Sequence, residues 1–202
     1  MVSKTREKLI DVARQLFAHK GIDNTTMNDI ANASDKGRRT IYTYFKNKRE
    51  IYNAVIERES DQIVAELKRI SEDKQLCPKE KLKKYLSMRC NHSATNASLY
   101  DSLKQFFSRD YKRVDRIRKL AYEKESVIFE HILEEGVTKG DFNREQVQYL
   151  KVFLPKLLQG MDLIGIDDEN DEANRIEFAE NLINFTLAGI LEHHRESDNS
   201  MN

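Results

Sequence analysis

From Lys4 to His19 the apolar residues Leu9, Ile10, Ala13, Leu16 and Phe17 recur at helical spacing with charges between them, and Gly21 follows. This pattern predicts an amphipathic first helix with a glycine stop. Thr26 then precedes Met27, Ile30 and Ala31, with Asp29 three residues on. The hydroxyl suits the free N–H groups of a helix start and the acid suits its positive end, so a short second helix ending near Ala33 is predicted. Ser34, Asp35, Lys36 and Gly37 are turn formers, and the run Arg38 to Phe45 behind them, with Ile41 and Phe45 one turn apart, predicts a third short helix. Asn47 and Lys48 open a longer segment whose apolar residues Ile51, Tyr52, Val55, Ile56, Ile63, Leu67 and Ile70 keep helical spacing almost to the CPKE junction. Pro78 suits the first turn of the next helix.

Beyond that junction the periodicity predicts helices at about Lys79 to Ala94, Leu99 to Phe107, Asp110 to Glu135, Arg144 to Ile164 and Asp171 to His194. The expected breaks are NHSATNAS, GVTKGDFN and the acidic DDENDEA, and the polar tail RESDNSMN is expected to fray. The expectation is an all-α chain of about nine helices: a three-helix helix-turn-helix head, residues 1–47, and a larger helical domain, residues 48–202. Only two Pro and seven Gly, with 34% charged residues, suit long exposed amphipathic helices.

The formal charge is zero, which on its own argues against a polyanionic partner, but it is unevenly spread. Residues 1–50 hold eleven Lys/Arg against six Asp/Glu, so a basic head precedes an acidic remainder. Cys77 and Cys90 form no CxxC pair and no His stands at zinc-finger spacing, so two reduced thiols are expected and no disulfide framework or metal site. The N-terminus lacks an apolar signal core and no stretch approaches the ~18 apolar residues that span a bilayer, so a cytoplasmic location without membrane attachment is expected.

Two short helices joined by a tight turn, behind a supporting helix and inside the basic head, form the arrangement that seats a second helix in a DNA major groove. At about 100° per residue, Ile41 and Phe45 point inward toward Leu16, Phe17 and Ile30. Arg39, Thr40 and Thr43 then point outward, with Arg38, Tyr42 and Tyr44 on the flanks. Arg can fork onto guanine O6/N7, Thr can bond a base or touch a thymine methyl, and Tyr can reach phosphate. Lys48 opens the fourth helix, where its ammonium and the helix N-terminus suit a phosphate. A solvated basic helix would account for two arginines, but not for two Thr and two Tyr beside them on eight residues. Thr26 has a capping role available as well as a phosphate contact.

The string LIDVARQLFAHKGIDNTTMNDIANASDKGRRTIYTYFKNKREIY resembles the N-terminal domain of the TetR (tetracycline-repressor-like) family of transcriptional regulators. The likeness lies in the LF…G…TT…IA pattern, in T-I-Y-T-Y-F against the family's T-L-Y-x-H/Y-F, and in K-N-K before an apolar helix. The resemblance implies DNA contacts by Thr40, Tyr42 and Tyr44, a phosphate contact by Lys48 and a second-helix contact by Asn28, with Arg38 and Arg39 where base readers commonly lie. It also implies a homodimer on a double-stranded, palindromic operator, a small-molecule effector and a repressor's role. The turn departs from the family, SDKGRRT standing for a typical AGVSKGT, so the docking class is implied and the base preference is not.

In the last two predicted helices one apolar stripe, Val147, Leu150, Leu154, Leu157, Leu158 and Met161, faces another through Leu182 and Ile190. Phe178, Phe185, Leu187 and Gly189 add apolar or small surface beyond one inward face, so Leu154, Leu158, Met161, Phe178, Leu182, Phe185 and Gly189 are candidates for a dimer interface rather than plain core. Pro155 inside that helix is expected to kink or break it. Tyr85, Met88, His92, Phe106, Tyr122 and Phe129 are candidates for an effector pocket between the middle helices, against the plainer reading of aromatic core and a loop histidine. No P-loop, GxGxxG after a strand, HExxH or di-iron helix spacing occurs, so neither an enzyme nor a cofactor is expected. The competing reading is a helical adaptor or nucleoid-type DNA-binding protein without an effector, which leaves some 150 residues without a role.

Overall fold

The computed structural model describes residues 4–106, 111–164 and 172–191 and, within them, the side chains outside 93–115 and 161–175. Eight α-helices run through the described residues: α1 (Lys4–Lys20), α2 (Met27–Ala33), α3 (Arg38–Tyr44), α4 (Lys48–Glu72), α5 (Pro78–Phe106), α6 (Tyr111–Lys139), α7 (Arg144–Ile164) and α8 (Glu172–Ile190). The stretch NHSATNAS, expected as a break, is helical, so the two helices expected on either side of it are one helix through Phe106. Nothing in it forbids this: it holds neither Gly nor Pro, and each Asn, Ser or Thr costs a helix only a fraction of a kcal/mol, roughly 0.5. α7 likewise passes through Pro155 without a break. The acidic loop, apart from Glu172 and Ala173, and the tail RESDNSMN lie outside the described residues.

Two hydrophobic clusters organise the chain, and α4 belongs to both. The first joins Leu9, Ile10, Ala13 and Phe17 of α1 with Ile30, Ile41, Phe45 and the start of α4 through Ile56. Within it the rings of Phe17 and Tyr52 lie 5.8 Å apart. The second gathers Ile63 and Leu67 of α4 with Leu82, Tyr85 and Leu86 of α5, Phe129, Ile132 and Leu133 of α6, Leu154 and Leu158 of α7 and Leu187 of α8. A rigid helix buried at both ends therefore ties the head to the body, since packed interiors transmit displacement rather than absorb it.

The GVTKGDFN junction folds as a tight helix stop. Gly140 takes φ +78°, which glycine adopts without the penalty a Cβ brings. The N–H groups of Asp141 and Phe142 then donate to the carbonyl of Gly136, at 2.9 and 3.2 Å. Phe142 is swung back onto α6, its ring filling the space where a Cβ on Gly136 would stand, 2.0 Å from the nearest ring carbon. Asn143 caps α7 by accepting from the Gln146 N–H at 3.0 Å, while its own N–H donates 2.7 Å to the carbonyl of Ile190 at the end of α8.

Candidate nucleic-acid interface

The helix-turn-helix is built by local caps. Gly21, at φ +75°, ends α1, and Thr25 is fully buried with its hydroxyl donating 2.8 Å to the Gly21 carbonyl. Thr26 caps α2 in a reciprocal box: its Oγ1 accepts from the Asp29 N–H at 3.1 Å, and Asp29 Oδ2 accepts from the Thr26 N–H at 2.8 Å. The Thr26 backbone N–H holds the Asp29 carboxyl below the usual carboxylate range. Ser34 is buried and donates 2.9 Å to the Ala31 carbonyl. Asp35 then takes φ +58° and turns the chain, and Gly37 starts α3 with no side-chain cap.

α3 is seated by Ile41 and Phe45, both buried. Arg38, Arg39, Tyr42 and Thr43 are exposed, Thr40 and Tyr44 half-buried, the latter packed against the head's core. The Arg38 guanidinium lies over the Tyr42 ring, 5.7 Å from its centroid, an arrangement that limits the wandering of both side chains. Among the described residues the Arg39 side chain has no bonded partner. Thr43 Oγ1 donates 3.0 Å to the Arg39 carbonyl. On α2, Asn28 is exposed, as is Thr26, whose hydroxyl serves the cap.

Lys48 sits differently from a phosphate-seeking side chain on an open surface. Its Nζ donates to the carbonyls of Ile22 and Asp23, at 2.5 and 3.3 Å, bracing the turn after α1. Burial lowers its pKa from the ordinary lysine value, an effect the nearby Asp23 partly offsets. Asn47 caps α4 by accepting from the Glu50 N–H at 3.0 Å, and the Lys46 N–H donates 2.7 Å to Glu50. Behind α3, the Arg6 guanidinium lies 5.3 Å from the Phe45 ring centroid. Ion pairs of α1 with α4 hold the head to the long helix: Arg14–Glu59 at 2.6 Å, and Arg58 with Asp11 at 2.5 Å and Glu7 at 3.6 Å.

The candidate pocket residues fall on two sides of α5. Met88 and His92 line a cavity of about 830 Å³ at the junction of head and body, together with Arg14, Glu59, Ile63 and Ile70. Tyr85 and Tyr122 lie instead on a small crevice with Arg89, Glu125, Pro155 and Leu158, and the Tyr85 ring packs on Phe129 at 5.3 Å between centroids. There Arg89 and Glu125 form a buried ion pair at 2.7 Å, and Arg118 donates 2.9 Å to the Tyr122 hydroxyl. Burial, then the Glu125 charge, pushes the Tyr85 pKa up. The side chain of Phe106 lies outside the described residues. Neither Arg89–Glu125 nor Arg14–Glu59 stands out in sequence, because the partners are far apart along the chain and charges alternate everywhere.

The candidate interface residues also divide. Leu154 and Leu158 belong to the chain's own core and Leu182 packs against it, because α7 turns that stripe onto α5 and α6. Phe178 and Gly189 are exposed, Phe185 strongly so at 77%. Tyr149, Val152 and Phe153 form a second outward apolar stripe on α7, each about 60% exposed or more. Their i, i+3, i+4 spacing was the available signal. The side chain of Met161 lies outside the described residues. No helix among the described residues is long and apolar enough to cross a membrane.

Comparison with known proteins follows the same division. Residues 9–55 match the family of bacterial regulatory proteins described as tetR, and residues 65–192 match the family described as QacR-like protein, C-terminal region. The probable acrEF/envCD operon repressor of Escherichia coli K12 is 46% identical over 50 residues, which are 25% of this chain and 23% of that protein, so the likeness to this curated relative spans less than a quarter of its length. Among solved structures, a transcriptional regulator from Cytophaga hutchinsonii is 26% identical with a TM-score of 0.78, covering 92% of this chain and 98% of that one. A TetR/AcrR-family regulator from Thermobifida fusca shares the fold at 21% identity and a TM-score of 0.71, covering 93% and 98%. With a helix-turn-helix at its start and family matches running from Leu9 to residue 192, the chain belongs to the TetR family of transcriptional regulators.

Proposed function

We propose that the chain is a ligand-responsive repressor that acts as a homodimer on a palindromic operator. The observation that carries the DNA part of this reading is the outer face of α3, where Arg38, Arg39, Tyr42 and Thr43 stand exposed on a helix seated by Ile41 and Phe45. Those groups match the major-groove vocabulary of forked donors, a methyl and a phosphate-reaching phenol. Lys48 acts here as a brace that sets the height of α4 against the turn, with phosphate contact a second use of the same ammonium. The exposed apolar residues on α7 and α8 support the homodimer, since large exposed apolar side chains gain from a cover.

The effector part rests on the cavity lined by Arg14 and Glu59, because it borders the head directly. A compound bound there shifts DNA binding only if it prefers one setting of the head over another. The test is operator selection from a random library with the purified protein, followed by footprinting and measurement of stoichiometry. Two chains on a two-fold symmetric site, half-sites about one helical turn or more apart, support the reading. One chain on an asymmetric site, or protection without sequence preference, overturns it. A compound screen on the protein–operator complex then tests the effector, and release by a compound that raises the thermal stability of the free protein is the expected result.

A further inference from the structure

We infer that Thr43 reads a thymine through its methyl group, one helical turn beyond an Arg39 that reads a guanine. The inference rests on the proposed placing of α3 in the major groove and names what that helix recognises there. Thr43 and Arg39 stand at i and i−4 on the same outward stripe, neither shielded by another element. The Thr43 hydroxyl is turned back along the helix, its proton committed to the Arg39 carbonyl at 3.0 Å. With its proton so used, the side chain offers a base its γ-methyl and an acceptor lone pair but no donor.

A threonine in this state has no proton to offer guanine N7 or thymine O4, while the only base edge that presents a methyl in the major groove is thymine. Arg39 contributes its carbonyl to that bond and keeps its side chain uncommitted among the described residues. Its five N–H donors suit the paired acceptors of guanine. Four residues of helix advance by about 6 Å, roughly two base steps of 3.4 Å each. The guanine and the thymine are therefore expected within one or two base pairs of each other in each half-site.

The experiment uses the full-length protein and its selected operator in an anisotropy titration, with each thymine replaced singly by deoxyuridine, which removes the methyl and nothing else. One thymine per half-site, within two base pairs of the guanine sensitive to Arg39→Ala, should lose about fourfold in affinity on replacement, the ratio for one methyl group withdrawn from water. Thr43→Val, which keeps the methyl and drops the hydroxyl, should retain that thymine-over-uracil preference, and Thr43→Ser should abolish it. If no thymine near that guanine is sensitive, or if Ser keeps the preference and Val loses it, the inference is wrong while the regulator reading stands. A selection that returns no consensus removes both.

Discussion

The guanidinium of Arg14, on the first helix of the DNA-binding head, lies 2.6 Å from the carboxylate of Glu59, which is 7% exposed on the long helix α4. This bond crosses from the element that supports the recognition helix to the element that enters the body, and both residues border the cavity at their junction. Burying a carboxylate is tolerable only while a cation and its hydrogen bonds compensate it. Arg14→Ala is expected to lower stability by about 1–2 kcal/mol, below the 3–5 typical of a fully buried pair because Arg14 is itself 39% exposed. Glu59→Gln, which removes the buried charge, should cost less. Urea unfolding of the two variants checks this: no cost from Arg14→Ala would show that the pair carries no structural weight, and a cost from Glu59→Gln as large as that from Arg14→Ala would show that the buried charge is not what the pair compensates.

Asp35 occupies φ +58° at the turn between α2 and α3, a region that strains most residues with a side chain and that aspartate tolerates better than most. Asp35→Gly should therefore raise the stability of the head by about 0.5 kcal/mol, the relief of that strain less the extra chain entropy glycine carries when unfolded. Operator affinity should not change, because Asp35 is in the turn and not on the outer face of α3. A lower unfolding midpoint for the variant would mean that the Asp35 side chain holds the turn.

Gly136 meets the ring of Phe142 where its own Cβ would be, at 2.0 Å from the nearest carbon. Phe142 is buried and cannot swing away without vacating the core. Gly136→Ala is thus expected to destabilise the body by about 1–3 kcal/mol through overpacking, despite alanine's better helix propensity. Thermal unfolding of Gly136→Ala and of Gly136→Ala with Phe142→Leu checks the cause: the second change should recover part of the loss.

The outward stripe of Tyr149, Val152 and Phe153 on α7 and the exposed Phe178 and Phe185 on α8 predict a homodimer through these two helices. Phe153→Glu with Phe185→Glu should shift the mass in sedimentation velocity from two chains to one, with native helical content by circular dichroism. Operator affinity should fall with it, since each half-site then binds singly. A double variant that stays dimeric would assign the interface elsewhere.

The head was legible in the sequence because each of its elements is specified locally: Gly21 stops α1, Thr26 and Asp29 cap α2, and Ile41 with Phe45 gives α3 its inward face. The body was legible only as a set of helices. NHSATNAS reads as a break by composition, yet helix propensities are weak beside the packing of α5 as a whole. Leu154 and Leu158 read as interface because α7 carries two apolar stripes, and only the packing shows which one faces inward. Lys48 shows the same limit at the site: its position in sequence suits phosphate, but the carbonyls of Ile22 and Asp23 that hold its ammonium lie some 25 residues away.

Sequence-specific DNA binding by α3 is tested most directly by a titration of the purified protein against its selected operator and a scrambled duplex over a range of salt. A preference for the operator on the order of 10³-fold or more is expected, with log affinity for both duplexes falling linearly as log salt rises. Arg39→Ala should close much of the gap between them while leaving the affinity for scrambled DNA nearly as it was. Equal affinity of the unmodified protein for the two duplexes would contradict sequence-specific binding.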